Sequence, residues 1–217
     1  WLKEEGLSRS AIGWAGLIFG VYAINFLWAP IIDRIRIPVL TNKIGHRKSI
    51  IILMQSIILV CLLIWSVLDP TQNLALIIGV GLAIAISSAT QDITIDALRI
   101  EQIKKEETAS IAAGAAMAVV GWWTGYKLGG VIALFTAEYF ENMGIADYWQ
   151  ATFLVLGVVI ILMNIGLMFV HEPISLDRSQ KQNETDQLIQ NKLGSQNILT
   201  KVIAWISGTL GGPVVSF

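Results

Sequence analysis

The chain has 217 residues, 54% of them hydrophobic and 14% charged, with a formal net charge of -1. Water-soluble domains carry about a quarter charged residues, so this composition predicts an integral membrane protein and disfavours a soluble enzyme or scaffold. The near-neutral balance, without basic patches interleaved with aromatics, leaves no footprint for nucleic acid.

The opening Trp1-Leu2-Lys3-Glu4-Glu5 carries no initiator methionine and reads as a loop entered from upstream. The far end, Val215-Ser216-Phe217, has no terminating signal, so the expectation is an internal fragment of a longer protein. A segment needs about 20 mostly apolar residues to cross the hydrocarbon. The first that qualifies is 11–32, in which Tyr22, Asn25 and Trp28 are candidate cavity-facing groups. Asn25 reads equally well as an interhelical hydrogen bond.

Asp33-Arg34 closes that span, and Gly45-His46-Arg47-Lys48 opens the next, 49–68. A carboxylate at one helix end facing basic groups at the next makes a charge clasp, suited to two halves that rock against each other. Ordinary positive charge in a cytoplasmic loop is the competing reading. Within the second span lies Cys61, the single cysteine, expected as a buried structural thiol with no internal disulfide.

The third span, 74–95, ends in Ser87-Ser88-Ala89-Thr90-Gln91-Asp92-Ile93-Thr94-Ile95-Asp96-Ala97-Leu98-Arg99. Ionisable groups at bilayer depth are costly and face water-filled cavities or pairing partners. Asp92 and Asp96, four apart, share a helical face with Gln91 beside them. They are candidates to line a central pathway near its cytoplasmic mouth and to carry a proton. For Asp96 the competing reading is a headgroup-level pair with Arg99.

The fourth span, 109–137, holds Lys127 within Gly121-Trp122-Trp123-Thr124-Gly125-Tyr126-Lys127-Leu128-Gly129-Gly130. A lysine at that depth needs an acidic partner or an anionic substrate, unless it snorkels to the outer interface. Gly121, Gly125 and Gly129 bare one helix face and favour close helix packing. The fifth span is 149–170. Arg34, Arg36, Lys43, Arg47 and Lys48 crowd one loop, and Arg99, Lys104 and Lys105 another, while loops 69–73 and 138–148 hold no Lys or Arg. The positive-inside rule therefore starts the chain outside and leaves its tail in the cytoplasm. Five spans with an outside start imply one missing span upstream and a six-helix unit.

Residues 174–197 are polar and read as a linker, and 198–217 as an interfacial amphipathic helix rather than a sixth span. Zinc-type spacings, a Walker Gly-Lys-Ser and a Gly-x-Ser-x-Gly elbow are absent, so no metal, cofactor or catalytic residue is expected.

Several of these strings together resemble the anhydromuropeptide permease family, a branch of the major facilitator superfamily. They are Phe26-Leu27-Trp28-Ala29-Pro30-Ile31-Ile32-Asp33-Arg34, Pro38, Gly45-His46-Arg47-Lys48, Ala89 to Glu101, and Gly125-Tyr126-Lys127-Leu128-Gly129. The resemblance implies an all-α integral membrane helix bundle of the facilitator type, with about five transmembrane helices present, helices two to six. Residues 1–173 would be a partial N-terminal six-helix half, and 198–217 a lead-in to a missing C-terminal half. It also implies proton-coupled import, across the bacterial inner membrane, of N-acetylglucosamine–anhydro-N-acetylmuramic acid peptides for cell-wall recycling. Asp92 and Asp96 would then couple the proton, with Lys127, Gln91, Asn25 and Tyr22 contacting substrate. Asp33 and Arg34 with Arg47 and Lys48 would form the conformational clasp. Asn25 stands where many relatives carry lysine. A carrier for another anionic solute, an acyl-coenzyme A or a peptide, and an integral membrane transferase are the alternatives.

Overall fold

The computed structural model describes residues 1–35, 37–103 and 108–172. The linker and amphipathic lead-in expected over 174–217 lie outside the described residues. The chain divides into two compact units. One is Trp1–Phe26 with Arg36–Glu172, and the other includes Leu27–Ile35. Among the described residues all regular structure is helical.

Four of the expected spans are continuous helices long and apolar enough to cross a membrane. They are α5 (His46–Trp65), α6 (Leu74–Gln102), α7 (Thr108–Asn142) and α8 (Tyr148–Met168). At 1.5 Å per residue α5 is about 30 Å long, one hydrocarbon thickness, and α7 about 52 Å, long enough to project beyond it.

Residues 11–32 differ from the single helix expected there. In the first unit they form α1 (Arg9–Gly16), a tight 3-10 turn over Leu17–Gly20, and α2 (Val21–Ile24). The second unit carries α3 (Ala29–Arg34), with proline in its first turn. Glycine costs about 1 kcal/mol in a helix interior, and Gly13, Gly16 and Gly20 recur at nearly every turn of this stretch. Pro30 cannot continue a helix arriving from its N-terminal side. The apolar run is long enough to span, but its glycines and proline break it into α and 3-10 pieces. A short α4 (Pro38–Ile44) precedes α5.

α5 packs most extensively on α6 and then on α8, while α7 leans on α8 and touches α6 only lightly. Small and hydroxyl residues let α6 approach its neighbour, with Gly81, Ala85, Ser87, Ala89, Thr90 and Thr94 all buried. A Cβ on Gly81 would lie 2.8 Å from Ile18 Cδ1 and 3.2 Å from the Trp65 ring, so glycine is what permits this three-way approach. The hydroxyls are satisfied by their own helix: Thr90 donates to the Ile86 carbonyl at 2.7 Å and Thr94 to the Thr90 carbonyl at 2.8 Å. Self-satisfied hydroxyls can be buried among apolar groups at little cost.

At the opposite end from Arg47, the interior is aromatic. Leu62, Ala137, Trp149 and Phe153 form a core, and Trp1 and Trp65 pack against it. Trp1 meets Phe153 edge-on with centroids 4.9 Å apart. Cys61 is free and buried.

Candidate functional site

Helical geometry separates the two faces of α6. Residues two apart lie about 200° round the axis, so burying Thr90 and Thr94 turns Asp92 and Asp96 the opposite way. They turn into an open cavity of about 780 Å³ between α6 and α7, lined on the α6 side by Asp92, Ile95, Asp96 and Arg99. The α7 side contributes Ala115, Ala118, Val119, Gly121, Trp122 and Trp123. Asp92 stands ten residues before Gln102, about 15 Å inward along the helix. A volume of this size is that of a small-molecule site.

The mouth is tied by Arg99. Its Nη2 pairs with Asp96 Oδ1 at 3.1 Å, and its Nη1 donates to the Gly114 carbonyl on α7 at 3.2 Å. Gly114 allows that crossing, because a Cβ there would lie 2.9 Å from Ile103 Cδ1. The pair is partly exposed, with Asp96 59% accessible, so it is worth no more than about 1 kcal/mol and leaves Asp96 open to other partners. Asp92 makes no hydrogen bond or ion pair among the described residues.

Aromatic rings form much of the facing wall. Trp122 and Trp123 have centroids 5.1 Å apart and planes at 87°. Tyr126, one turn further, lies parallel to Trp122 at 5.9 Å with 6° between the planes. Lys127 is exposed on α7, four residues past Trp123 towards the aromatic end of the bundle, and is not among the cavity's lining residues. Gln91 is half-buried and lies outside the lining as well. Asn25 and Tyr22 belong to the broken segment whose α2 packs on α6; Asn25 is half-buried and Tyr22 39% exposed.

The charged end of the bundle is organised around two acids that sequence reading passed over. Arg47, only 4% exposed, gives Nη2 to Glu101 Oε1 at 2.9 Å. The Glu172 carboxylate accepts the backbone amides of Arg47 at 2.9 Å and Lys48 at 3.0 Å, capping the start of α5. Lys48 Nζ donates to the Val170 carbonyl at 2.8 Å, and Gln102 donates its amide to the His171 carbonyl at 2.7 Å. Three helix ends thereby meet in one polar knot. Asp33 and Arg34 close α3 in the second unit. The sequence signals for the missed acids are Glu101 two residues past Arg99, and Glu172 between the last apolar residue and Pro173.

Comparison with known proteins agrees with this architecture. The profile described as Major Facilitator Superfamily matches residues 1–216. The chain is 31% identical over 206 residues to "Putative transporter AmpG 4" of Rickettsia felis, covering 95% of this chain and 44% of that protein. It is 36% identical over 140 residues to "Putative transporter AmpG 1" of the same organism, covering 64% of this chain and 31% of that one. It is 29% identical over 173 residues to "Anhydromuropeptide permease" of Escherichia coli K12, covering 80% of this chain and 33% of that protein. The chain thus spans less than half the length of the curated relatives it matches.

Proposed function

Because this chain belongs to the major facilitator superfamily of multi-pass membrane proteins, we propose that it is part of a proton-coupled carrier importing anhydromuropeptides across the bacterial inner membrane. The observation that carries the reading is the Asp92–Asp96 pair, set in the wall of a ligand-sized cavity towards the charged end of a membrane-spanning helix. Paired carboxylates that face a cavity where an apolar span ends are functional candidates. The choice of cargo rests on the names of the relatives.

The mechanism is alternating access. A carboxylate in a watered cavity is ionised, and one enclosed in a drier wall holds a proton more tightly. A carrier that opens this cavity alternately to the two sides therefore loads a proton on Asp92 or Asp96 outside and releases it inside. Lys127, on the same helix as the aromatic wall, attracts the anionic peptide end of the cargo. Gln91, Asn25 and Tyr22 hydrogen-bond its hydroxyls and amides. The polar knot of Arg47, Lys48, Glu101 and Glu172 holds the cytoplasmic end in one arrangement until cargo and proton are bound, and the charges of Asp33 and Arg34 at the end of α3 serve the same conformational switch.

The test is uptake of labelled disaccharide-anhydropeptide by cells that lack their own muropeptide permease and express the full gene product. Uptake that collapses with a protonophore supports both cargo and coupling. Membrane insertion without uptake removes the muropeptide and points to another anionic solute.

A further inference from the structure

One feature of the cavity wall has no part in proton coupling: the perpendicular indoles of Trp122 and Trp123, the first of them with the Tyr126 ring parallel to it one turn along α7. Trp122 and Trp123 both line the cavity and are 56% and 52% exposed. Both rings stand across the cavity from Asp92.

The chemistry of this corner is selective. An aromatic face is electron-rich and attracts polarised C–H groups. A pyranose offers such C–H groups on its flat face and hydroxyl donors around its rim. Asp92, an acceptor without a partner among the described residues, stands opposite to receive a hydroxyl. An acyl chain leaves the carboxylates unanswered, and an extended peptide has no flat C–H face to lay on an indole. The cavity therefore pairs the two chemistries that a sugar ring displays together.

We infer that the Trp122–Trp123 corner is the platform on which a pyranose ring of the cargo stacks, with Asp92 accepting a hydroxyl from its rim. This rests on the import reading above and assigns the sugar end of the cargo to the α6–α7 cavity.

The experiment uses the full gene product in cells, with Trp122→Ala, Trp122→Leu and Trp122→Phe and the same three changes at Trp123. Uptake of labelled disaccharide-anhydropeptide gives KM and kcat, and unlabelled disaccharide and free peptide serve as competitors. Leucine keeps apolar bulk without a π face, and phenylalanine keeps the face. The expected result is a KM raised about tenfold in the Ala and Leu variants, with kcat little changed and Phe restoring most of the affinity. The disaccharide should lose potency as a competitor in parallel, and the free peptide should not. Leu variants that match wild type, or equal losses for both competitors, would overturn the platform and leave a packing or lipid-facing role. That result, alongside proton-dependent uptake by the wild type, leaves the import reading standing. Wild-type protein that inserts but takes up no glycopeptide removes the import reading and the platform with it.

Discussion

The carboxylate of Glu172 fills the space that any side chain at Gly45 would need. A Cβ built on Gly45 collides with Glu172 Oε2, and the backbone there has φ +102° and ψ 163°, a region that only glycine enters without strain. The reward for that geometry is a charged cap on α5 from an acid 125 residues away. Gly45→Ala should therefore cost about 1–3 kcal/mol, read as a lower melting temperature in detergent. Gly79→Ala is the control, since nothing lies within 4 Å of a Cβ there. Equal melting temperatures for both variants would show that the cap is not strained against this glycine.

A second consequence concerns Arg47 and Glu101. Arg47 is 4% and Glu101 20% exposed, so their 2.9 Å pair is largely screened from water. Losing one partner leaves a charge poorly compensated, which costs far more than losing an exposed pair. Glu101→Ala should lower stability by about 2–4 kcal/mol, and Arg47→Met in that background should recover part of the loss. Thermal melts of the two single variants and the double variant measure the coupling. Strict additivity would mean that the two side chains act independently.

The contrast between these two sites shows what the sequence reveals. α5, α6, α7 and α8 are legible because long apolar runs have one stable outcome in lipid, helices with every backbone group paired. Their ends are less so. α5 begins at His46, ahead of the expected Ser49, because its cap comes from the far end of α8 and leaves no local trace. The broken segment over 11–27 was readable from Gly13, Gly16 and Gly20, but hydropathy outweighs them in a span count. In the site, Asp92 and Asp96 announce themselves by spacing and by charge at the end of an apolar run, and Asp96 with Arg99 by adjacency. Trp122 and Trp123 do not, because tryptophan in an apolar helix is unremarkable until a carboxylate is found opposite.

The loop between α5 and α6 carries a pH dependence of its own. Asp69 accepts the Thr71 amide at 2.8 Å, the Thr71 hydroxyl at 2.6 Å and the Gln72 side-chain amide at 2.9 Å. Those bonds to Thr71, and secondarily to Gln72, hold its carboxyl below the ordinary 3.8. A pKa lowered by folding stabilises the turn fully above the ordinary value, and the contribution drains away as pH falls through the lower, folded one. The protection factor of the Thr71 amide should hold steady above pH 3.8 and decline below it. In Asp69→Asn that decline should vanish. An unchanged profile in the variant would assign the acid sensitivity to another group.

The most direct test of the account is Asp92→Asn in the full gene product, which keeps the shape of the side chain and removes its proton chemistry. Two readouts separate coupling from binding: accumulation of labelled disaccharide-anhydropeptide against its gradient, and counterflow exchange of labelled for unlabelled cargo with no gradient. Proton coupling at this carboxylate predicts that accumulation is lost while counterflow persists in protein that reaches the membrane normally. Accumulation at the wild-type level would contradict it.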